Sequence, residues 1–268
     1  MGKIIAVVNQ KGGVGKTTTA VNIAAAIAAK EKKVLLIDFD PQGNASTGFG
    51  IEKADGLSTI YDFIAGNCTI KECEQIITPQ RLSIIPASAD LAGAEVELVN
   101  EENREFFLKN ALENIVVEFD IIIIDCPPSL GLLTLNCLVA ADSIIVPLQC
   151  EFLAMEGLSQ LLNTVDLVRK KLNPNLGIEG VVLTMFSDGE GQNNQVDSEV
   201  RRHMGESVFS TVIPRKFEVS ESPSFGKPVV WYDPFSPASW AYFNLAHELI
   251  GHEFIDPTTH DWEVIVGS

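Results

Sequence analysis

The sequence predicts an α/β protein in which a doubly wound, mainly parallel sheet carries helices on both faces. Short apolar, β-rich runs alternate with helical patterns along the chain, which is the order expected for such a sheet. Some of these runs are apolar on both faces, as in Ile121–Ile124, and this is typical of buried parallel strands. A glycine-rich segment separates the first apolar run from the first helical pattern.

Strands are predicted where a short run of apolar and β-branched side chains is bounded by turn residues or by charged residues. In chain order these strands are Lys3–Asn9, Lys33–Phe39, Arg81–Pro86, Asp120–Asp125, Ser143–Pro147, Ile178–Phe186, Val208–Pro214 and Val229–Tyr232. The first, second and fourth of them end in polar residues at the edge of the sheet where ligands bind in this fold class.

Helices are predicted from helical periodicity between those strands. In chain order they are Thr18–Lys30, Thr59–Ala65, Asn103–Val117, Leu130–Ala140, Glu156–Leu172, Asn193–Met204 and Ala238–Gly251. Within the first helix, Ala20–Ala28 is small or apolar nearly all round, so we expect it to be buried against the sheet. No repeat or linker divides the chain, which predicts one domain over residues 1–254 and an acidic tail at 255–268.

The composition favours a cytosolic protein. Of its 268 residues 46% are hydrophobic, yet no apolar run reaches the roughly 18 residues that cross a bilayer. The first residues lead directly into a strand, without the layout of a signal peptide. The five cysteines form no C-x-x-C pair, so we expect reduced thiols. The formal net charge of −17 argues against a broad basic surface for nucleic acid.

The segment K-G-G-V-G-K-T-T is the most specific feature of the chain, and it lies between a strand and a helix. Its glycines allow several backbone N–H groups to point into one concavity, and the helix adds its positive end, so the segment predicts a phosphate-binding loop. Lys16 would neutralise the outer phosphates, and the Thr17 hydroxyl would ligate Mg²⁺. The nucleotide-binding residues expected here are Gly12, Gly13, Val14, Gly15, Lys16, Thr17 and Thr18.

Carboxylates follow two of the predicted strands. Asp38 and Asp40 end the second strand, and because they are two residues apart they point the same way if the strand persists. Asp125 ends the fourth predicted strand after four isoleucines, and two prolines stiffen the exit from it. A carboxylate in this position holds Mg²⁺ directly or through water. We therefore expect all three acids at the phosphate site, with Asp125 as a metal ligand.

The loop resembles the deviant Walker A motif, K-G-G-x-G-K-T-T, of the ParA/MinD ATPases. An ordinary phosphate loop has glycine where this chain has Gln10, and the early lysine, Lys11, is typical of that family. The D-x-D-P-Q-G-N segment that starts at Asp38 and the D-x-P-P segment that starts at Asp125 are similar to two further family motifs. The resemblance covers roughly residues 1–250 and is strongest with chromosomal, Soj-like ParA proteins. It implies a fold of the P-loop NTPase type.

The same resemblance implies hydrolysis of ATP with Mg²⁺ and gives roles to single residues. Lys11 would reach across a nucleotide-sandwiched homodimer to the phosphates bound by the partner. Asp38 would support the Mg²⁺ shell, and Asp40 would orient the attacking water. Glu151 would contact the nucleotide or the partner subunit. Three further residues are expected around the adenine: Met185, Pro214 and Arg215.

Resemblance to this family also implies partners and a cellular role. ATP would drive dimerisation and ADP would return the protein to a monomer, while a ParB-like activator or a cargo adaptor stimulates hydrolysis. The sequence shows no obvious self-supplied arginine finger, so hydrolysis without an activator should be slow. We expect a switch for DNA segregation or for the positioning of intracellular cargo, in the cytoplasm or on the nucleoid.

The chain departs from the Soj-like pattern at the positions of two DNA-contacting arginines, which read Gly189 and Glu218 here. Between residues 187 and 233, five basic residues stand against eight acidic ones. Phosphate contacts supply most non-specific affinity for DNA, so this change should weaken it. Either four other basic residues form a different patch, or the ATPase acts through a protein partner or cargo without DNA. Those four residues are Arg201, Arg202, Lys216 and Lys227.

Three other interpretations remain for comparison. The MinD type of membrane attachment is disfavoured, because no Lys or Arg follows Asp233. An interaction protein could keep the pocket only for folding and hydrolyse little ATP. An electron-transfer reductase of the nitrogenase iron-protein kind shares the deviant loop, but it needs cysteines that bridge a cluster between subunits. The spacing of Cys126, Cys137 and Cys150 does not look like that family.

Overall fold

The computed structural model describes residues 2–51, 56–77, 81–151, 154–187 and 191–251, so that Gly189 and the predicted tail at 255–268 lie outside the described residues. The strands in the described residues are β1 (Lys3–Val7), β2 (Val34–Asp38), β3 (Gln75–Ile77), β4 (Leu82–Ile85), β5 (Ile121–Asp125), β6 (Ser143–Gln149), β7 (Gly177–Phe186) and β8 (Val208–Pro214). They form one sheet in the order β3-β4-β2-β5-β1-β6-β7-β8. All neighbours are parallel except β3 and β4, which confirms the predicted doubly wound, mainly parallel sheet.

Helices connect these strands and lie on both faces of the sheet. The α-helices of the described residues are α1 (Lys16–Ala28), α2 (Asn44–Gly48), α3 (Ile60–Ile64), α4 (Ile70–Cys73), α5 (Leu91–Glu97), α6 (Phe107–Leu112), α7 (Leu132–Ala140), α8 (Ala154–Lys171), α9 (Gly191–Met204), α10 (Phe217–Glu221), α11 (Val229–Tyr232) and α12 (Pro237–Ile250). Short 3₁₀ segments span Leu98–Asn100, Arg104–Phe106, Val116–Glu118, Gly205–Ser207 and Ser222–Phe225. Within the described ranges, no helix combines the length and the apolar character that a membrane crossing requires.

The two faces of the sheet pack into two separate hydrophobic cores. Along β5, Ile122 and Ile124 belong to one core while Ile121 and Ile123 belong to the other, and β1 and β2 alternate in the same way. Helices α7 and α8 cover the first core, and α1 and α12 cover the second. Because the central strands are buried on both faces, their carboxyl ends are held rigidly. The helix α1 is buried nearly all round, as its small residues predicted.

Three predictions of secondary structure were wrong. The predicted strand Val229–Tyr232 is the short helix α11, because it follows Pro228 and packs its two valines into the core beneath α1 and α12 instead of joining the sheet. The predicted helix at 103–117 is divided, so that only α6 is α-helical there. The short edge strand β3 was not predicted, and its presence makes Asp125 the end of the fifth strand rather than the fourth.

Two glycines bring the backbones of distant segments together beside α2. Gly50 follows α2 with φ +71°, and Gly226 follows the 3₁₀ turn Ser222–Phe225 with φ +62°. A Cβ atom on Gly226 would lie 2.7 Å from the Cα of Gly50, so only glycine fits at this position. This contact fixes α2 against the segment that precedes α11.

Replacing Gly226 with alanine should therefore destabilise the protein more than a substitution that only strains the backbone. Gly66 has a similar φ of +74° but open space around it, which makes Gly66→Ala the matched control. We expect Gly66→Ala to lower the free energy of unfolding by about 1 kcal/mol and Gly226→Ala to lower it by about 3 kcal/mol, since overpacking is added to the strain. Equilibrium urea unfolding measures both values, and equal losses would contradict the close contact.

Candidate functional site

The glycine-rich loop between β1 and α1 forms a concave turn with its backbone fixed at both ends. Gly13 and Gly15 have φ values of +75° and +87°, where other residues are strained. Gly15 caps the N-terminus of α1. The hydroxyl of Thr184, near the end of β7, donates a hydrogen bond of 2.8 Å to the carbonyl oxygen of Val14. The loop is thus shaped to present backbone N–H groups and the positive end of α1 to an anion.

The two lysines of the loop are held by contacts within the chain. Lys16 is buried, and its Nζ donates to the carbonyl oxygen of Lys11 at 3.0 Å. Burial lowers the pKa of Lys16, while the nearby Asp125 and Asp40 act in the opposite direction. The Nζ of Lys11 is 2.5 Å from an Oε2 of Glu151, an ion pair in which both side chains are nearly half exposed. The structure therefore places Glu151 at the loop, while its contact with a nucleotide or a partner subunit stays a prediction.

The N-terminal end of the loop is tied to β6 and to α8. The side-chain amide of Asn9 donates to the carbonyl oxygen of Pro147 in β6 at 2.7 Å, and Gln10 donates to the side chain of Gln160 in α8 at the same distance. The Asn9 side chain also accepts from the N–H of Lys11 at 3.0 Å. These contacts hold Lys11 beside Glu151, and they were not predicted from the sequence.

Asp38 and Asp125 lie next to each other at the carboxyl edge of the sheet. They are partners in the register of β2 and β5, and both are fully buried. Burial raises the pKa of Asp125 well above its usual range, and Asp38 raises it further. The hydroxyl of Thr17 is near enough to lower that pKa, but neither oxygen of Asp125 has a hydrogen bond of ordinary geometry among the described residues. Asp125 is therefore a buried carboxyl group beside the Thr17 hydroxyl, and burial disfavours its ionised form.

Asp38 and Asp40 do not share a direction, because β2 ends at Asp38. One oxygen of Asp38 accepts from the N–H and the hydroxyl of Ser46 in α2, at 2.8 and 2.7 Å. Burial raises the pKa of Asp38 to about 6, and these hydrogen bonds oppose that shift. Asp40 instead accepts from the N–H of Gln42 at 2.9 Å and lines the cavity in front of the loop. The expectation that both acids point the same way is corrected, and Ser46 is a contact that the sequence did not reveal.

Two cavities open beside the loop. The first, of about 450 Å³, lies against Gly12, Gly13, Lys16 and Thr17 and includes Asp40. The second, of about 480 Å³, lies against Met185, Pro214 and Arg215. Four residues line both cavities: Gly15, Thr18, Met185 and Val219. The three residues predicted around an adenine are thus together in one cavity that adjoins the loop, and Phe217 is a wall of that cavity that the sequence did not single out.

The four basic residues predicted as an alternative DNA patch lie on different elements. Arg201 and Arg202 lie on α9, where they pair with Asp197 and Glu199 of the same helix. Lys216 lines the second cavity and Lys227 lines the first. The DNA patch stays a prediction, and Gly189 lies outside the described residues.

The groups at the site fit a polyphosphate and a divalent cation. Asp125 offers two carboxylate oxygens, and Thr17 offers a hydroxyl beside them. Oxygen ligands of this kind are what Mg²⁺ prefers in proteins. The cysteines do not fit an iron–sulfur cluster shared between subunits, because Cys126, Cys137 and Cys150 are buried in the core. All five cysteines are free thiols, as predicted.

Comparisons with known proteins agree on one family. A family described as an AAA domain matches residues 2–178. The chromosome partitioning protein ParA of Myxococcus xanthus (strain DK1622) is 52% identical, over 93% of this chain and 88% of its own. The sporulation initiation inhibitor protein Soj of Bacillus subtilis (strain 168) is 53% identical, over 93% of this chain and 98% of its own. Cobyrinic acid a,c-diamide synthase from Mycobacterium smegmatis, solved with an ATP analogue and magnesium, is 34% identical with a TM-score of 0.83, covering 96% of this chain and all of that one.

Replacing Asp125 with asparagine should stabilise the protein when no ligand is added. The substitution replaces a buried carboxyl group that lies beside Asp38 and whose ionisation burial disfavours, so we expect the free energy of unfolding at neutral pH to rise by about 1 to 3 kcal/mol. Asp142→Asn is the control, because Asp142 is exposed and accepts a hydrogen bond from the N–H of Ile4. Chemical denaturation compares the variants, and a loss of stability in Asp125→Asn would contradict the unfavourable burial of this carboxyl group.

The same two carboxylates predict how stability depends on pH. Their pKa values are raised in the folded state, so the folded chain binds more protons than the unfolded chain. The stability that these two groups contribute by binding protons is fully present below about pH 4, and it is lost as the pH rises through about 6 and above. We expect the free energy of unfolding to fall over this range in the wild type and to fall less in Asp125→Asn. Equal slopes in denaturation series from pH 5.5 to 8 would contradict the raised pKa of Asp125.

Proposed function

This chain belongs to the Soj-like branch of the ParA/MinD ATPase family, and we propose that it is an ATP-dependent dimerisation switch for DNA segregation or cargo positioning. The single observation that carries the nucleotide chemistry is the fully buried Asp125, which lies beside Thr17 and Lys16 at a loop with two positive-φ glycines. Such a group makes little sense for packing, since an unpaired buried carboxylate is unfavourable. The same carboxyl group is favourable at a binding site where a ligand brings the opposite charge.

In the proposed mechanism the loop binds the phosphates of ATP through its N–H groups and the N-terminus of α1. Lys16 exchanges its contact with the Lys11 carbonyl for an outer phosphate oxygen. Thr17 and Asp125 would hold Mg²⁺ directly or through water, and Asp38 would support that shell from its fixed position against Ser46. Bound Mg²⁺ would supply positive charge that offsets the charge developing on the transferred phosphoryl group. Asp40, which lines the phosphate cavity, orients the attacking water.

Lys11 provides the link between ATP and dimerisation in this proposal. Its ammonium group lies at an exposed position and is held only by Glu151, through an ion pair of the weak, solvent-exposed kind. Release from Glu151 makes Lys11 available to the phosphates of a second subunit, and Glu151 then faces the same interface. No arginine lines the phosphate cavity among the described residues, which supports slow hydrolysis until a ParB-like activator or cargo adaptor binds.

A second candidate function is a ParA-like ATPase that acts through a protein partner or cargo without binding DNA. The observation that favours it is that Arg201 and Arg202 are paired with acids on their own helix. In addition, Glu218 places a carboxylate in α10 where DNA-binding relatives of the branch are expected to carry arginine. The two functions differ in whether ATP creates a DNA-binding surface.

Replacing Lys11 with alanine should abolish ATP-induced dimerisation and leave ATP binding to the monomer largely intact. Lys11 contacts the phosphate cavity of its own subunit only through its backbone, whereas Lys16 is the buried cation of that cavity. Lys16→Ala should therefore lose ATP binding itself and serves as the contrasting variant. Sedimentation velocity with ATP and with ADP measures dimerisation, and calorimetry measures binding. Wild-type dimerisation and turnover in Lys11→Ala would overturn the switch.

Replacing Glu218 with arginine should strengthen ATP-dependent DNA binding if α10 faces DNA in the dimer. One added phosphate contact is expected to raise the affinity for DNA about tenfold at low salt. It should also steepen the plot of log affinity against log salt concentration by about one unit. Glu113→Arg makes the same charge change at an exposed position that follows α6. Gel shifts with ATP, with ADP and without nucleotide compare the variants with the wild type. Equal shifts for both variants would remove α10 from any DNA surface and favour the second function.

A further inference from the structure

The second cavity has an aromatic wall that the proposed phosphate chemistry does not use. Phe217 is the first residue of α10, and it lines this cavity although its side chain is 74% exposed. A single exposed aromatic residue is common on protein surfaces and by itself indicates nothing. What distinguishes Phe217 is its place at the wall of a cavity that adjoins the phosphate loop.

The two cavities are neighbours along the path that a nucleotide would follow. They share Gly15, Thr18, Met185 and Val219 as lining residues, so a ligand with its phosphates on the loop can extend past α1 into the second cavity. Thr18, in the first turn of α1, is expected at the nucleotide and lines both cavities. The second cavity is therefore where the base of such a ligand has room.

The other walls of the second cavity are held firmly. Met185 has φ +52°, an uncommon conformation for a residue with a side chain, and it is fixed between two hydrogen bonds. Before Met185, the Thr184 hydroxyl donates to the carbonyl oxygen of Val14. After it, the carbonyl oxygen of Phe186 accepts a hydrogen bond of 2.9 Å from the N–H of Arg215. The ends of β7 and β8 thus form one fixed wall of the second cavity. Phe217, at the start of α10, lines the same cavity.

We propose that Phe217 is the residue on which the purine base of bound ATP stacks, an inference that rests on the proposed function. The exposed ring offers the apolar face that a base needs, and stacking of a base on an aromatic ring contributes measurably to nucleotide affinity. Phe217 is then a positioning residue that touches the base and takes no part in phosphoryl transfer.

The chain provides a matched control in Phe225. Its ring is 58% exposed, but it stacks on Tyr232 with a centroid distance of 4.9 Å and lines neither cavity. Phe225→Ala thus removes an exposed ring of the same kind from the same stretch of chain without touching the base site. Phe217→Leu keeps apolar volume without the ring, and Phe217→Tyr keeps the ring.

The test is calorimetric titration of the full-length wild type and these variants with MgADP and with magnesium tripolyphosphate, which has no base. We expect Phe217→Ala and Phe217→Leu to bind MgADP about tenfold more weakly, while Phe217→Tyr and Phe225→Ala match the wild type. Tripolyphosphate should bind all variants equally. Nuclear Overhauser effects between adenine H2 or H8 and phenylalanine ring protons should be present in the wild type and absent in Phe217→Leu.

Other outcomes separate this inference from the proposed function. Equal MgADP affinity in Phe217→Ala and Phe225→Ala would overturn stacking and leave the ATPase proposal intact. A parallel loss of tripolyphosphate binding in Phe217→Ala and Phe217→Leu would show that the residue supports the loop rather than the base, which also overturns it. A wild-type protein that binds neither MgADP nor tripolyphosphate would overturn the proposed function together with this inference.

Discussion

Two carboxylates buried side by side are the constraint on which the rest of the structure depends. Asp38 and Asp125 face each other across the register of β2 and β5, in a part of the protein with no solvent access. Neighbouring like charges in such a place strongly disfavour ionisation. The strands cannot move apart to relieve this, because both are central and are packed between two cores. The sheet therefore holds two buried carboxyl groups side by side, close to Lys16, with their pKa values raised by burial.

The surrounding elements connect this pair of acids to the walls of both cavities. Ser46 in α2 satisfies Asp38, and α2 itself is fixed by the contact of Gly50 with Gly226. The turn that ends at Gly226 belongs to the same stretch of chain as α10 and Val219, which line the cavities. The contact between Gly50 and Gly226 thus connects α2, which holds Asp38 through Ser46, to the stretch of chain that lines the cavities. A displacement of that stretch would also disturb the hydrogen bonds to Asp38.

The sequence predicts the parts of this protein that depend on local pattern, and it fails where a distant residue decides. Runs that are apolar on both faces, such as Ile121–Ile124, predict buried parallel strands correctly, and the glycine loop predicts the position of the phosphate cavity. The run Val229–Tyr232 has strand composition but forms a helix, because Pro228 and burial against α1 and α12 outweigh propensity. The direction of Asp38 depends on Ser46, whose role no motif shows. The placement of the basic residues on different elements depends on the path of the whole chain.

The two lysines of the loop are coupled to each other, and this gives nucleotide binding a route to the dimer interface. Lys16 holds the carbonyl oxygen of Lys11, while the side chain of Lys11 is held by Glu151. In the proposed switch, a phosphate that attracts Lys16 would remove the first contact, while the N–H of Lys11 keeps its hydrogen bond to Asn9. The exposed ion pair with Glu151 would then be the side-chain contact to exchange, and pairs of this kind contribute little. Occupation of one pocket would thereby favour the release of Lys11 toward a neighbouring subunit, without any large movement of the sheet.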